Sequence, residues 1–236
     1  MMRTTSLNLI AISVFCMTLS VLLSPILNIS PFVPAGITFF FLGVATLDVF
    51  QFQGQGASLL VDRLAGTSAS TRERILHHEA GHFLVAYLMK IPIQGYALNG
   101  WEAFKQGFKA QGGVQFADQI LWEQLQQGKI SAQVLDRYCA VWMGGIAAET
   151  LVFEKAEGGR EDREKITAIW TQLQRPLSEA KIKERWAILQ AKTVIETHKL
   201  AYFSLVEAMK NRASVEDCCQ MIEKFKNVEG GLTVDG

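Results

Sequence analysis

Only four cysteines, Cys16, Cys139, Cys218 and Cys219, occur in 236 residues. Cys16 lies in an apolar run, and adjacent Cys218 and Cys219 are badly placed to bridge each other. A disulfide framework is excluded, and a reducing compartment is expected. Neither sign of charge is in excess, since 23 Lys and Arg balance 23 Asp and Glu. That excludes a basic nucleic-acid binder, and no nucleic-acid partner is expected. No charged residue falls between Thr4 and Leu47, and all but Arg3 lie from Asp48 onward. The mean hydropathy of +0.16 therefore has a local cause. An apolar front followed by a normally charged domain is neither a disordered chain nor a polytopic transporter. The phosphate-cradling motif G-x-x-x-x-G-K-[ST] is absent too. The one Gly-Lys pair, Gly128-Lys129, is followed by Ile130. No ATP binding is expected.

The front is apolar in two runs. Leu7 to Leu27 is long enough to cross a hydrocarbon core of ~30 Å. Pro25, Asn28, Ser30, Pro31 and Pro34 then break any helix, and Phe32 to Phe50 forms the second run. The pattern predicts a two-helix transmembrane hairpin over residues 1–50, with membrane lipid as a partner, and a linker over 51–69. Arg3 precedes the first run, Arg63, Arg72 and Arg74 follow the second, and the turn has no positive charge. The positive-inside rule then puts both ends, and the following domain, in the cytoplasm. A cleaved signal peptide is the rival. It lacks an A-x-A-like site and is followed at once by a second apolar run.

Residues 70–226 read as a mainly α domain. Ser70 and Glu73 have capping-box spacing and open a helix from Thr71 to Met89. Ile91 to Leu98 and Gly113 to Phe116 read as short strands in a small β-containing insert. Helices are expected over Gln119 to Gln127, from an N-cap at Ser131 to Phe153, and over Glu161 to Leu173. A long or once-bent helix follows from Ser178 to Lys210. The last, started by Ser214 and Asp217, runs to Phe225. Residues 227–236 read as a flexible tail.

His78-Glu79-Ala80-Gly81-His82 is an H-E-x-x-H motif. On a helix its two imidazoles project from one face and can bind one metal ion. Glu79 is placed to act as general base on a water activated by zinc. His78, His82, Val85 and Met89 fall on one stripe, so the rings point along the buried face, where polar groups need partners. His77 is turned about 100° off that stripe by helical periodicity. His198 reads as a surface or packing residue. The third ligand is then a carboxylate, from Glu149 or from Glu157, Glu161, Asp162 and Glu164. Asp162 stands out as a short side chain in a first helical turn, just after Gly158-Gly159. Gly144 and Gly145 mark a point where a second helix can pack close to the metal helix. Glu149 either orients a ligand or caps a polar contact.

The motif with Phe83-Leu84-Val85-Ala86 resembles the metal helix of the FtsH-type membrane zinc peptidases. Gly144-Gly145-Ile146-Ala147-Ala148-Glu149 resembles their second signature, G-G-R-x-A-E, with Ile146 in place of Arg. Gly158 to Asp162 falls where that family has a Gly-containing stretch ending in its third zinc ligand. Thr197 to Met209 resembles the family's C-terminal helix. The resemblance spans 70–226 and is closest to the shortened cyanobacterial and plastid homologues that lack the ATPase domain. It implies a helical zincin-type peptidase fold and zinc metalloendopeptidase activity. It also implies Zn²⁺ held by His78, His82 and Asp162, with Glu161 the alternative because Arg160 and Glu161 replace small residues. The implied location is a thylakoid or plasma membrane. The implied partners are protein or peptide substrates, further copies of the chain, or a full-length membrane AAA protease.

The expectation is a membrane-anchored, ATP-independent zinc metalloprotease that cuts flexible or unfolded proteins, with Glu79 catalytic. An extended segment within Ile91 to Phe116 offers an edge to which a substrate strand can add. The rival is a non-proteolytic, zinc-stabilised regulator or assembly factor of a membrane complex.

Overall fold

The computed structural model describes residues 14–15, 17–20, 22, 30, 32–33, 36–40, 43, 68–108 and 112–232. The chain divides into two compact units, Met1–Ala65 and Gly66–Gly236. In the first, every described position except Ser30 is helical. Among the described residues no helix is long and apolar enough to cross a membrane. This corrects the expectation of an integral membrane protein in a thylakoid or plasma membrane with a cytoplasmic peptidase domain. The two longest described helices are barred from hydrocarbon by their charges, which include Arg72, Glu73 and Arg74 in one and Lys181, Lys183 and Glu184 in the other. Most of the expected hairpin over 1–50 and nearly all of the linker over 51–69 lie outside the described residues, as does the end of the chain from 233.

The second unit is mainly helical. In chain order it comprises α1 (Ala69–Leu88), β1 (Ile93–Ala97), α2 (Gly100–Lys105), β2 (Gly113–Phe116), α3 (Gln119–Gln126) and α4 (Ala132–Trp142). Then follow α5 (Gly144–Phe153), α6 (Arg160–Gln172), α7 (Leu177–Thr197), α8 (Lys199–Lys210) and α9 (Val215–Leu232). Helix α1 runs through the middle, packed on α4, α5, α7, α8 and both strands. Its second half is buried almost all round, from Ala80 through Ala86. A helix without a solvent face belongs at the centre of a fold. Phe83, Leu84, Tyr202, Leu205 and Met209 fill the core around it.

Local chemistry sets the element boundaries. The N-cap of α1 is Ser68, whose hydroxyl accepts from Thr71 N–H at 3.1 Å. It lies two residues before the expected Ser70, which sits inside the first turn. Ser131 caps α4 as expected, accepting from Val134 N–H at 3.2 Å. Ser214 and Asp217 form the expected reciprocal box. The Ser214 hydroxyl accepts from Asp217 N–H at 3.1 Å, and Asp217 Oδ2 accepts from Ser214 N–H at 3.3 Å. Helix α9 then continues to Leu232, past the expected end at Phe225.

The helix expected from Ser131 to Phe153 is two. The break falls at Met143, just before Gly144-Gly145, where helical commitment is weakest. The long C-terminal helix bends once, at His198 (φ −115°, ψ 46°). Strands β1 and β2 form an antiparallel pair with Tyr96 opposite Val114 and Ala97 opposite Gly113.

Candidate metal centre

Helix α1 places His78 and His82 one turn apart, and the first turn of α6 brings Asp162 to them. His78 Nε2 and His82 Nε2 are 3.0 Å apart. Asp162 Oδ2 lies 3.3 Å from each. A tetrahedral ion about 2.05 Å from each ligand would space its ligand atoms about 3.3 Å apart. The triangle therefore has the size of one face of such a coordination shell. His78, His82 and Asp162 form a group that could hold a metal ion, with His82 and Asp162 buried and His78 partly so.

The ring tautomers fit that role. His82 Nδ1 lies 2.7 Å from the Val141 carbonyl oxygen, which can only accept, so Nδ1 carries the proton. His78 Nδ1 lies 2.7 Å from Glu149 Oε1 and donates to that carboxylate. Both Nε2 atoms are left as lone pairs aimed at each other and at a carboxylate oxygen. Three converging acceptors repel unless a cation lies among them. Burial would lower the His78 imidazole, but the Asp162 and Glu149 carboxylates override it and raise it to about 10. Burial would raise Asp162, but the His82 and His78 rings and Lys165 hold its carboxyl well below the usual range.

The backbone around the site is cleared by glycine. A Cβ on Gly145 would run into the His78 ring, and one on Gly158 would sit 2.7 Å from Glu149 Oε1. Gly144 and Gly81 bring α5 and α1 into backbone contact, since a Cβ on Gly144 would lie 2.8 Å from Gly81 O. This is the close approach expected of the Gly pair. Gly159, with φ +83°, turns the chain into α6 so that Asp162 points inward.

Glu149 is almost fully buried and saturated with donors. Besides His78 it accepts from Arg74 Nη1 at 3.0 Å, Glu157 N–H at 2.9 Å and Gly158 N–H at 3.2 Å. Burial pushes its carboxyl up, yet these bonds bring it down to about 2. Of the two roles left open for Glu149, orienting a ligand is the one this geometry fits. Glu79 is partly buried on α1, and its Oε2 accepts from Val114 N–H of β2 at 3.1 Å.

The other candidates stay away. Glu161 is exposed, one step round α6 from Asp162. Glu157 pairs with Arg74, at 3.5 Å, and Glu164 with Arg160, at 3.7 Å. His77 is buried against Tyr202, whose hydroxyl lies 2.8 Å from its Nδ1. His198 sits at the junction of α7 and α8.

Two participants escaped the sequence reading. Lys165 Nζ bonds the outer oxygen of Asp162, Oδ1, at 2.9 Å. Arg74 holds the far side of Glu149. Both carried a signal, for Lys165 is three residues after Asp162 and Arg74 four before His78, spacings that share a helix face.

Compared with known proteins, the chain matches no family model and no curated relative.

Proposed function

We propose that this protein is a zinc-dependent peptidase that hydrolyses flexible or unfolded polypeptide without ATP. The observation that carries the reading is the triangle of His78 Nε2, His82 Nε2 and Asp162 Oδ2, with edges of 3.0–3.3 Å, formed on the same helix that bears Glu79. The likeness of this helix, of Gly144 to Glu149 and of the Asp162 turn to FtsH-type zinc peptidases supports it further. Zinc is the ion favoured by two neutral imidazoles and one carboxylate with a coordination position left over. Bound there, it would polarise a peptide carbonyl and make a water acidic near neutral pH.

The chain's own residues supply the rest. Glu149 and the Val141 carbonyl fix both imidazole tautomers and orientations. Lys165 occupies Asp162 Oδ1 and leaves Oδ2 as the single ligating oxygen. Glu79 takes the proton of the attacking water and returns it to the departing amine, a role worth roughly 10²–10⁴-fold in rate. The sequence has no phosphate-binding loop to drive unfolding, so natively folded substrates should resist.

The test is zinc content together with cleavage of unstructured casein, wild type against Glu79→Gln. The expected result is one zinc in both proteins and activity only in the wild type. Zinc-loaded wild type that cuts no flexible substrate would leave the metal as a structural element and favour a regulator.

A further inference from the structure

Strand β2 has two edges. The inner one pairs with β1, with Gly95 opposite Gln115 and Tyr96 opposite Val114. In an antiparallel pair, successive residues turn their main-chain groups to alternate edges. Ala117 N–H bonds the Pro92 carbonyl at 2.9 Å, so the odd positions here face the β1 side. Val114 and Phe116 face outward. The Val114 N–H accordingly leaves the hairpin and donates to Glu79 Oε2 at 3.1 Å. On the opposite edge, Gln106 Nε2 donates to the Tyr96 carbonyl at 3.2 Å. One outward main-chain group on each edge of the two-stranded sheet is thus capped by a side chain, a device that hinders indiscriminate pairing. One cap is an ordinary glutamine. The other is the carboxylate that follows the first metal-binding histidine.

We propose that Glu79 is a removable cap, displaced by an extended peptide that adds to the outer edge of β2. In the resting protein the carboxylate occupies the main-chain donor that such a peptide needs. A docking peptide offers its own carbonyl to Val114 N–H, and Glu79 is released toward the scissile bond. The inference rests on the peptidase reading and deepens it, because it names the edge, the donor and the trigger. The exchange replaces a charge-assisted bond by a neutral one, which by itself opposes docking. Additional ladder bonds, to the Val114 carbonyl and the Phe116 N–H, must make up the difference. Only a chain able to lie extended over several residues can supply them. The base is therefore engaged until a suitable backbone arrives, and short peptides with a single hydrogen-bonding group leave it capped.

The probe is a fluorescein-labelled unstructured casein peptide, bound to the zinc-loaded full chain in two variants that do not cleave it. Glu79→Gln keeps an acceptor for Val114 N–H, and Glu79→Ala has none. Glu79→Ala should bind the peptide on the order of fivefold tighter, the worth of one net hydrogen bond. Amide exchange at Val114 should be slow in the wild type, fast in Glu79→Ala, and slow again when peptide is added. Gln106→Ala placed on the non-cleaving Glu79→Gln background, which uncaps the opposite edge, should leave the peptide affinity of Glu79→Gln unchanged. Equal affinity of Glu79→Gln and Glu79→Ala, with wild type still cleaving the peptide, overturns the cap and leaves the peptidase standing. An equal gain on adding Gln106→Ala to Glu79→Gln also overturns it, since loosening of the hairpin would then be the cause. Absence of both cleavage by wild type and binding by either variant overturns the two readings together.

Discussion

Glu149 Oε1 accepts the Nδ1 proton of His78 at 2.7 Å, across 71 residues of chain. The bond fixes which nitrogen of His78 faces Asp162. It also makes the buried carboxylate a neighbour of the candidate metal site without being one of its three candidate ligands. Three further donors, from Arg74, Glu157 and Gly158, hold Glu149 in place.

Glu149→Gln should therefore keep the three ligands and loosen the metal. The amide still accepts from His78 Nδ1, but it carries no charge and presents a donor toward groups that are themselves donors. Loss of such a partner typically weakens metal affinity 10–100-fold. Competition with a chromophoric chelator measures it. Unchanged zinc affinity would mean that Glu149 only ties α5 to the Glu157–Gly158 loop.

The same carboxylate sets an acid limit on stability. Its folded pKa is lowered from 4.5 to about 2. A depressed carboxylate stabilises the fold fully above its unfolded pKa and loses that contribution as pH falls through the folded one. The window is therefore pH 4.5 down to about 2, and the shift amounts to about 3 kcal/mol. Thermal melts of the metal-free protein should show wild type well above Glu149→Gln at pH 6, with the gap closing toward pH 2. A gap independent of pH would remove the charge from the explanation.

The ligand assignment separates neighbouring residues. His82→Ala and Asp162→Asn should both lose stoichiometric zinc. Glu161→Gln should keep it, because Glu161 points to solvent. His77→Gln should also retain zinc but melt lower, since His77 is buried against Tyr202 and makes edge contacts with Phe153 and Phe203. Metal analysis and a melt on each variant decide it. Zinc lost from Glu161→Gln and kept by Asp162→Asn would shift the third ligand by one residue.

What the sequence made legible was short in range. Four-residue spacing put His78 and His82 on one face, and a Gly pair before a carboxylate singled out Asp162. Ser131 and Ser214 sit at their caps because capping is decided within three or four residues. Ser68 was missed because Ser70 and Glu73 offered a competing box at the same helix start. The break at Met143 was missed because the apolar pattern runs on through it, although Gly144-Gly145 marks the point where helical commitment is weakest. The apolar front suggested membrane spans, yet among the described residues no helix can cross a membrane. The role of Glu149 was left open because its partners come from α1, α5 and the loop before α6. No local spacing encodes such a meeting.

The adjacent glycines of α5 should fail in different ways when given a side chain. A Cβ on Gly144 would lie 2.8 Å from Gly81 O, 3.0 Å from Gly81 C and 3.1 Å from His82 Cα. All three are backbone atoms of α1, so the two helices must move apart. Overpacking of this kind costs about 1–3 kcal/mol, more than the ~1 kcal/mol that alanine gains over glycine in a helix. Gly144→Ala should lower the melting temperature of even the metal-free protein. A Cβ on Gly145 instead meets the His78 ring, 2.5 Å from its Cδ2 and Cε1. A ring can swing where a backbone cannot, so Gly145→Ala should melt closer to wild type. It would, however, turn Nε2 away from His82 and Asp162 and cost zinc affinity out of proportion to stability. Melting curves of the metal-free variants, set beside their zinc affinities, separate the two effects. If Gly145→Ala binds zinc as tightly as wild type, the His78 ring is not held in register by the absence of that side chain.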